Sequence, residues 1–182
     1  LSCPTQNKNG TGGDVKIAVD AVCAAAHPHH FLAVTKEGRS AIATTTGNRD
    51  CHIMLRGGVK PNYDAASVDA ACDAVRKSGL TEAVVIDVSH ANSAKDPGKQ
   101  PQVAADVARQ IAAGDDRIVG VMIESHLVAG RQDLTPGQPL TYGQSITDGC
   151  IDWDTSVATL EELAAAVTQR RHERQQGRAT AD

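Results

Sequence analysis

His90, Glu124 and Asp148 stand where an α/β chain can deliver metal ligands to one point. His90 follows the mostly apolar run Ala83 to Val88 after one residue, and Glu124 directly follows the run Ile118 to Ile123. Asp148 lies in Ser145-Ile-Thr-Asp-Gly149. One imidazole with two carboxylates suits a divalent first-row ion such as manganese, iron, cobalt or zinc. A closed structural zinc site would use more thiolate. Each residue taken alone has a plainer reading: a hydrogen-bonded histidine after a strand, or an aspartate capping a turn. Glu124 is the hardest to explain that way, because burying an unpaired carboxylate is costly. His52, Asp87 and His126 either orient the ligands from behind or are satisfied polar residues.

Two cations occupy similar positions. Lys8 sits in Asn7-Lys-Asn-Gly-Thr11, and Arg56 ends the run Cys51 to Leu55 and precedes Gly57-Gly58. The paired glycines suggest close backbone approach of an anion, with the Arg56 guanidinium free to hold a phosphate through two parallel hydrogen bonds. Either cation alone reads as readily as half of a surface ion pair. Thr11-Gly12-Gly13 ahead of a helix is compatible with an anion at a helix start.

The elements that must position these groups alternate. Helical patterns cover residues 13–26, 64–78, 102–113 and 155–171, the second with Gly79 in the stop position. Apolar strands cover 51–55, 83–88 and 118–123, and the residues before Lys8 supply a fourth. Residues 31–34 and 40–44 flank a polar turn with Gly38 and read as a β-hairpin. Residues 93–101 and 128–149 read as loops, the second long enough to suggest function. Residues 175–182 form a polar tail expected to fray. Continuous apolar strands between helices imply a parallel sheet covered on both faces. Each strand ends in a charged or ligating side chain, on the side that holds the active site in barrels and open α/β sheets. Four strand–helix units are half of a (β/α)8 barrel, and an open doubly wound sheet is the other pattern they allow.

Composition bounds the rest. The chain has 182 residues, 41% hydrophobic but only 2% aromatic, so its core is aliphatic. A net charge of -4 argues against nucleic acid. No apolar run would span a membrane. The five cysteines Cys3, Cys23, Cys51, Cys72 and Cys150 form no C-x-x-C pair and read as reduced cytosolic thiols. The chain opens on Leu-Ser-Cys-Pro without a leader pattern, which reads as a start inside a domain.

Several segments, in order, resemble class I 3-deoxy-D-arabino-heptulosonate 7-phosphate (DAHP) synthases. They are Lys8-Asn-Gly-Thr11, Cys51-His-Ile-Met-Leu-Arg-Gly-Gly58, Ile86-Asp-Val-Ser-His-Ala-Asn-Ser93, Gly120-Val-Met-Ile-Glu-Ser-His-Leu127 and Tyr142-Gly-Gln-Ser-Ile-Thr-Asp-Gly-Cys-Ile151. The resemblance implies a cytoplasmic transferase of the shikimate pathway that condenses phosphoenolpyruvate with erythrose 4-phosphate. It implies a (β/α)8 barrel of which residues 1–174 are the second half, strands five to eight, with the hairpin at about 30–46 as an insertion. His90, Glu124 and Asp148 would ligate the metal, whose cysteine ligand lies upstream of this chain. Lys8 and Arg56 would hold phosphoenolpyruvate, and Asp148 would also touch the sugar phosphate. The implied ion, Mn2+, Fe2+, Co2+ or Zn2+, acts as a Lewis acid on the aldehyde. The hairpin resembles the family's binding element for an aromatic amino acid inhibitor, and the full-length protein is expected to be a homo-oligomer. One departure is Gln6-Asn7, where the family has Gly-Phe before the lysine. The runner-up readings are another metal-dependent barrel aldolase or lyase acting on a phosphorylated sugar, and a catalytically inactive fragment. The isolated 182-residue chain is expected to be inactive in either case.

Overall fold

The structure is a computed structural model that describes residues 4–179, with side chains through residue 176. Its centre is a four-stranded parallel sheet of β1 (Thr5–Lys8), β4 (Cys51–Leu55), β5 (Val84–Asp87) and β6 (Ile118–Met122), in that spatial order. The order follows the chain without the reversal that defines a doubly wound sheet. Between β1 and β4 run helix α1 (Lys16–Ala26) and the antiparallel hairpin β2 (His30–Val34) and β3 (Ser40–Thr44), with Gly38 at positive φ in its turn. Helices α2 (Ala65–Lys77) and α3 (Gln100–Ala112) make the next two crossovers.

Strand alternation divides the sheet into two faces. Ile53, Leu55, Val84, Ile86, Val88 and Ile118 join one buried cluster with residues of α1, α2, α3 and the final helix, α4 (Trp153–Ala179). The opposite face carries Lys8, Met54 and Val85 in register, then Asp87 beside Met122. The helices therefore cover one face only, and the charged strand ends belong to the other. Each buried aliphatic side chain in the cluster contributes roughly 1.5–3 kcal/mol relative to exposure, which explains how a chain nearly without aromatics holds this sheet.

The helix ends follow local chemistry. Asp64 caps α2 by accepting from Ser67 N at 3.0 Å and from Ser67 Oγ at 2.7 Å, and the hydroxyl bond above all holds its carboxyl below the usual range. Asp152 accepts from Thr155 N at 2.9 Å at the start of α4. Arg170 donates to Asp115 O at 2.6 Å and Arg174 pairs with Asp116 at 2.6 Å, which pins α4 to the turn before β6.

Three expectations change. The helices cover the sheet on one face, where cover on both was expected. The 128–149 segment is not a plain loop: β7 (Val128–Arg131) and β8 (Gln144–Ser145) pair in parallel within it. Helix α4 continues to Ala179, past the tail expected from residue 175; residues 180–182 lie outside the described residues, as does Cys3. The other four cysteines are free.

Candidate active site

The site forms where the ends of the sheet strands meet. Asp87 is the last residue of β5 and is fully buried. Its Oδ1 accepts from Ser89 N at 3.0 Å, and its Oδ2 accepts from Lys8 Nζ at 3.2 Å. The same Oδ2 lies 2.8 Å from His90 Nδ1, so a proton on that nitrogen would face the carboxylate. His90 Nε2 then faces Asp148, whose Oδ2 is 4.0 Å away. One ligand atom from each of His90, Glu124 and Asp148 lies within 4.8 Å of the others. Atoms bound to one ion at about 2.1 Å stand at most about 4.2 Å apart. Small side-chain adjustments therefore close the set around a cation, and its imidazole-and-carboxylate chemistry fits a divalent first-row metal.

His90 has φ of 46°, a left-handed conformation uncommon outside glycine. Glu124 is held from behind. The Gln100 amide, fully buried at the start of α3, accepts from Glu124 N at 2.9 Å and donates to Glu124 O at 3.0 Å. A cavity of about 300 Å³ adjoins the triad, lined by Arg56, Ser89, His90, Lys95, Asp148 and Gly149. Arg56 thus shares a cavity with two of the three candidate ligands. Lys8 is joined to them through Asp87.

Of the three residues read as possible supports, Asp87 is the one that lies against a candidate ligand, 2.8 Å from His90 Nδ1. His126 is exposed and its Nδ1 accepts from Leu127 N at 2.8 Å, a local bond to its own chain neighbour. His52 is half-buried, with Nε2 lacking a hydrogen bond. The glycines after Arg56 answer to packing rather than to an anion. A Cβ on Gly58 would stand 2.3 Å from Gly13 N, and one on Gly57 would meet Ala91 Cβ and Asn92 N at 2.8 Å. The Thr11–Gly13 turn is accordingly pressed against Gly58 and does not stand open as an anion site.

Three asparagines went unnoticed in the sequence. Asn9 Nδ2 donates to Gly10 O and Gly57 O, both at 2.8 Å, while Oδ1 accepts from Arg56 N at 2.7 Å and Asn62 Nδ2 at 3.3 Å. Asn62 Oδ1 accepts from Gly57 N at 2.6 Å. Asn62 N donates to Asn92 Oδ1 at 2.8 Å, and Asn92 Nδ2 reaches Leu55 O and Asp87 O at 3.1 and 2.7 Å. These amides tie the ends of β1, β4 and β5 together. The available signal was an asparagine directly after Lys8 and another two residues after His90.

The pattern defining the DAHP synthetase I family matches residues 1–161.

The chain belongs to that family.

A Phe-sensitive phospho-2-dehydro-3-deoxyheptonate aldolase of Escherichia coli (strain K12) is 56% identical over 171 residues, 94% of this chain and 49% of that protein. A tyrosine-inhibited aldolase of the same name from Schizosaccharomyces pombe is 51% identical over 176 residues, 94% of this chain and 47% of that protein. The solved structure of the Francisella tularensis SCHU S4 phospho-2-dehydro-3-deoxyheptonate aldolase superposes with a TM-score of 0.88 at 50% identity, covering 93% of this chain and 50% of that one. The chain spans about half the length of the curated relatives it matches. Among the described residues no helix is long and apolar enough to cross a membrane.

Proposed function

We propose that this chain carries one half of the active site of a DAHP synthase, which joins phosphoenolpyruvate to erythrose 4-phosphate and releases inorganic phosphate. The observation that carries the reading is the convergence of His90, Glu124 and Asp148 within 4.8 Å, beside a cavity that also holds Arg56. Family membership supports it, as do the printed names of the relatives.

His90, Glu124 and Asp148 would hold a divalent ion, Mn2+, Fe2+, Co2+ or Zn2+, which supplies Lewis acidity to a carbonyl oxygen when bound. The chain's own residues do the remainder. Asp87 keeps the proton on His90 Nδ1 and leaves Nε2 as a donor atom. Gln100 fixes the backbone from which Glu124 projects. Arg56 and Lys8 neutralise and orient phosphoenolpyruvate, so its enol carbon meets the aldehyde carbon in reacting geometry. The new carbon–carbon bond forms there, water adds at the neighbouring carbon, and phosphate leaves with the bridging oxygen. Asp148, with a side chain 65% exposed, can touch both the ion and a substrate hydroxyl.

We assign the four-stranded sheet to half of a (β/α)8 barrel. Strand order without reversal, helices on one face, and coverage of about half of each relative support that assignment. Two unpaired sheet edges and a missing set of ligands follow from it, so the isolated chain is inactive and the full-length protein condenses the substrates. The hairpin β2–β3 is the proposed element for an aromatic amino acid effector, in line with the Phe-sensitive and tyrosine-inhibited names of relatives. A cytoplasmic compartment and a homo-oligomer complete the reading.

The test is phosphoenolpyruvate consumption by the full-length protein with erythrose 4-phosphate, with and without a chelator and added Mn2+, alongside direct Mn2+ titration. Chelation should abolish turnover, and His90→Ala should weaken Mn2+ binding at least 10-fold. Turnover indifferent to the chelator, with Mn2+ affinity unchanged in His90→Ala, refutes the metal assignment.

A further inference from the structure

The loop from His90 to Lys95 holds more strain than a connection needs. Among the described residues it contains every non-glycine residue with positive φ: His90 at 46°, Ala94 at 54° and Lys95 at 60°. Such conformations persist only where the surroundings enforce them, and they concentrate at functional sites. Here a ladder of backbone hydrogen bonds enforces them. Ser93 N donates to Ser89 O, Ala94 N to Ala91 O and Lys95 N to His90 O, at 3.2, 3.2 and 2.6 Å. Glycine or asparagine would fit Ala94 and Lys95 with less strain. The loop keeps a lysine there instead, and that lysine lines the 300 Å³ cavity with Arg56, His90 and Asp148.

Lys95 and Arg56 form no ion pair among the described residues, whereas Lys8 spends its charge on Asp87. A neighbouring part of the cavity wall is fixed too. Gly149 packs on Pro97, where a Cβ would come within 3.1 Å of Cγ, so the Asp148 loop and the Lys95 loop are braced against each other. A planar guanidinium and a compact ammonium facing one small cavity match the oxygens of a phosphate monoester better than a carboxylate, which has only two.

We infer that Lys95 is a substrate-binding residue that, with Arg56, forms a phosphate subsite. The inference rests on the proposed condensation for the identity of the substrates, because either of them brings a phosphate monoester. It does not rest on that reading for the existence of the subsite.

Two experiments separate these levels. In the first, inorganic phosphate is titrated calorimetrically into the metal-loaded full-length protein, its Lys95→Ala variant and its Lys95→Gly variant. Both variants should bind phosphate about 10- to 100-fold more weakly, the loss expected for one charge-assisted contact. Lys95→Gly relieves the left-handed backbone, so its melting temperature should not fall. In the second, KM is measured for each substrate. The substrate whose phosphate sits at Lys95 should show the rise, with the other within about twofold, and Lys95→Arg should recover most of it. Unchanged phosphate affinity in both variants overturns the inference, as does a loss confined to kcat. A wild type that binds phosphate through Lys95 without condensing the two substrates would overturn the proposed function and leave the subsite standing.

Discussion

Asn9→Ala offers the strictest test of how this site is assembled. Asn9 is 3% exposed and makes four hydrogen bonds, three of them to backbone groups of the Gly10 and Arg56-Gly57 turns. Each bond has a net worth of about 1 kcal/mol, and a buried group left unpaired costs about 1–3 kcal/mol. Water entering the space left by the amide would restore part of that. The expected loss is about 2–4 kcal/mol, read as a lower urea midpoint of the full-length protein at unchanged m. Asn9→Asp has nearly the same volume but cannot donate to Gly10 O or Gly57 O, and it sets a carboxylate oxygen against each. It should be worse than alanine. If Asn9 positions the cations as argued, KM for phosphoenolpyruvate also rises about 10-fold or more in the alanine variant. A loss under about 1 kcal/mol with KM unchanged would show that the two turns hold themselves, and the amide network would lose its role.

Other outcomes follow from single contacts. Gly58→Ala should cost about 2 kcal/mol or more, because its Cβ would meet backbone at 2.3 Å, whereas Gly12→Ala, with nothing within 4 Å, should be near neutral; equal melting temperatures for the two would contradict the packing described. Asp115 is held below the usual carboxylate range, first by its hydrogen bond from Arg117. The unfolded chain then takes up the proton more readily than the folded one, so this stabilisation is present above the ordinary aspartate range and is lost as pH falls through and below it. Asp115→Asn should flatten that part of the acid-stability curve, and superimposable curves would count against the pairing. Burial pushes the Cys72 thiol up to about 11, so native protein at pH 8 should alkylate at Cys72 far more slowly than at half-buried Cys51. Mass mapping that finds equal labelling would show the α2–sheet interface to be open.

Much of the fold was readable because each element carries its own period. The β2–β3 hairpin, the capped start of α2 at Asp64 and the three apolar strands appear within a residue or two of where local pattern placed them. Boundaries drifted where neighbours decide them: α4 runs on to Ala179 past a compositional break, with Arg170 and Arg174 bonded to the turn before β6. The β7–β8 ladder was hidden because two four- and two-residue strands carry no period of their own.

The sequence by itself determined which residues end strands, since alternation and apolar runs are local properties. It therefore nominated His90, Glu124, Lys8 and Arg56 as strand-end groups, while Asp148 was named from within a segment read as a loop. Only the tertiary structure decided what those ends share. Asp87 reads equally as a ligand support or as a satisfied polar residue until β1 and β5 bring Lys8 and His90 to the same oxygen. Gly57-Gly58 reads as an anion turn until the loops of Gly13 and Ala91 fill the space. Asn9, Asn62, Asn92 and Gln100 carry no periodic signal at all, because a side-chain amide can bond anywhere. Apart from the local bond of Asn9 to Gly10 O, the partners here lie 5 to 53 residues away along the chain, and most of those contacts exist only once the sheet has formed.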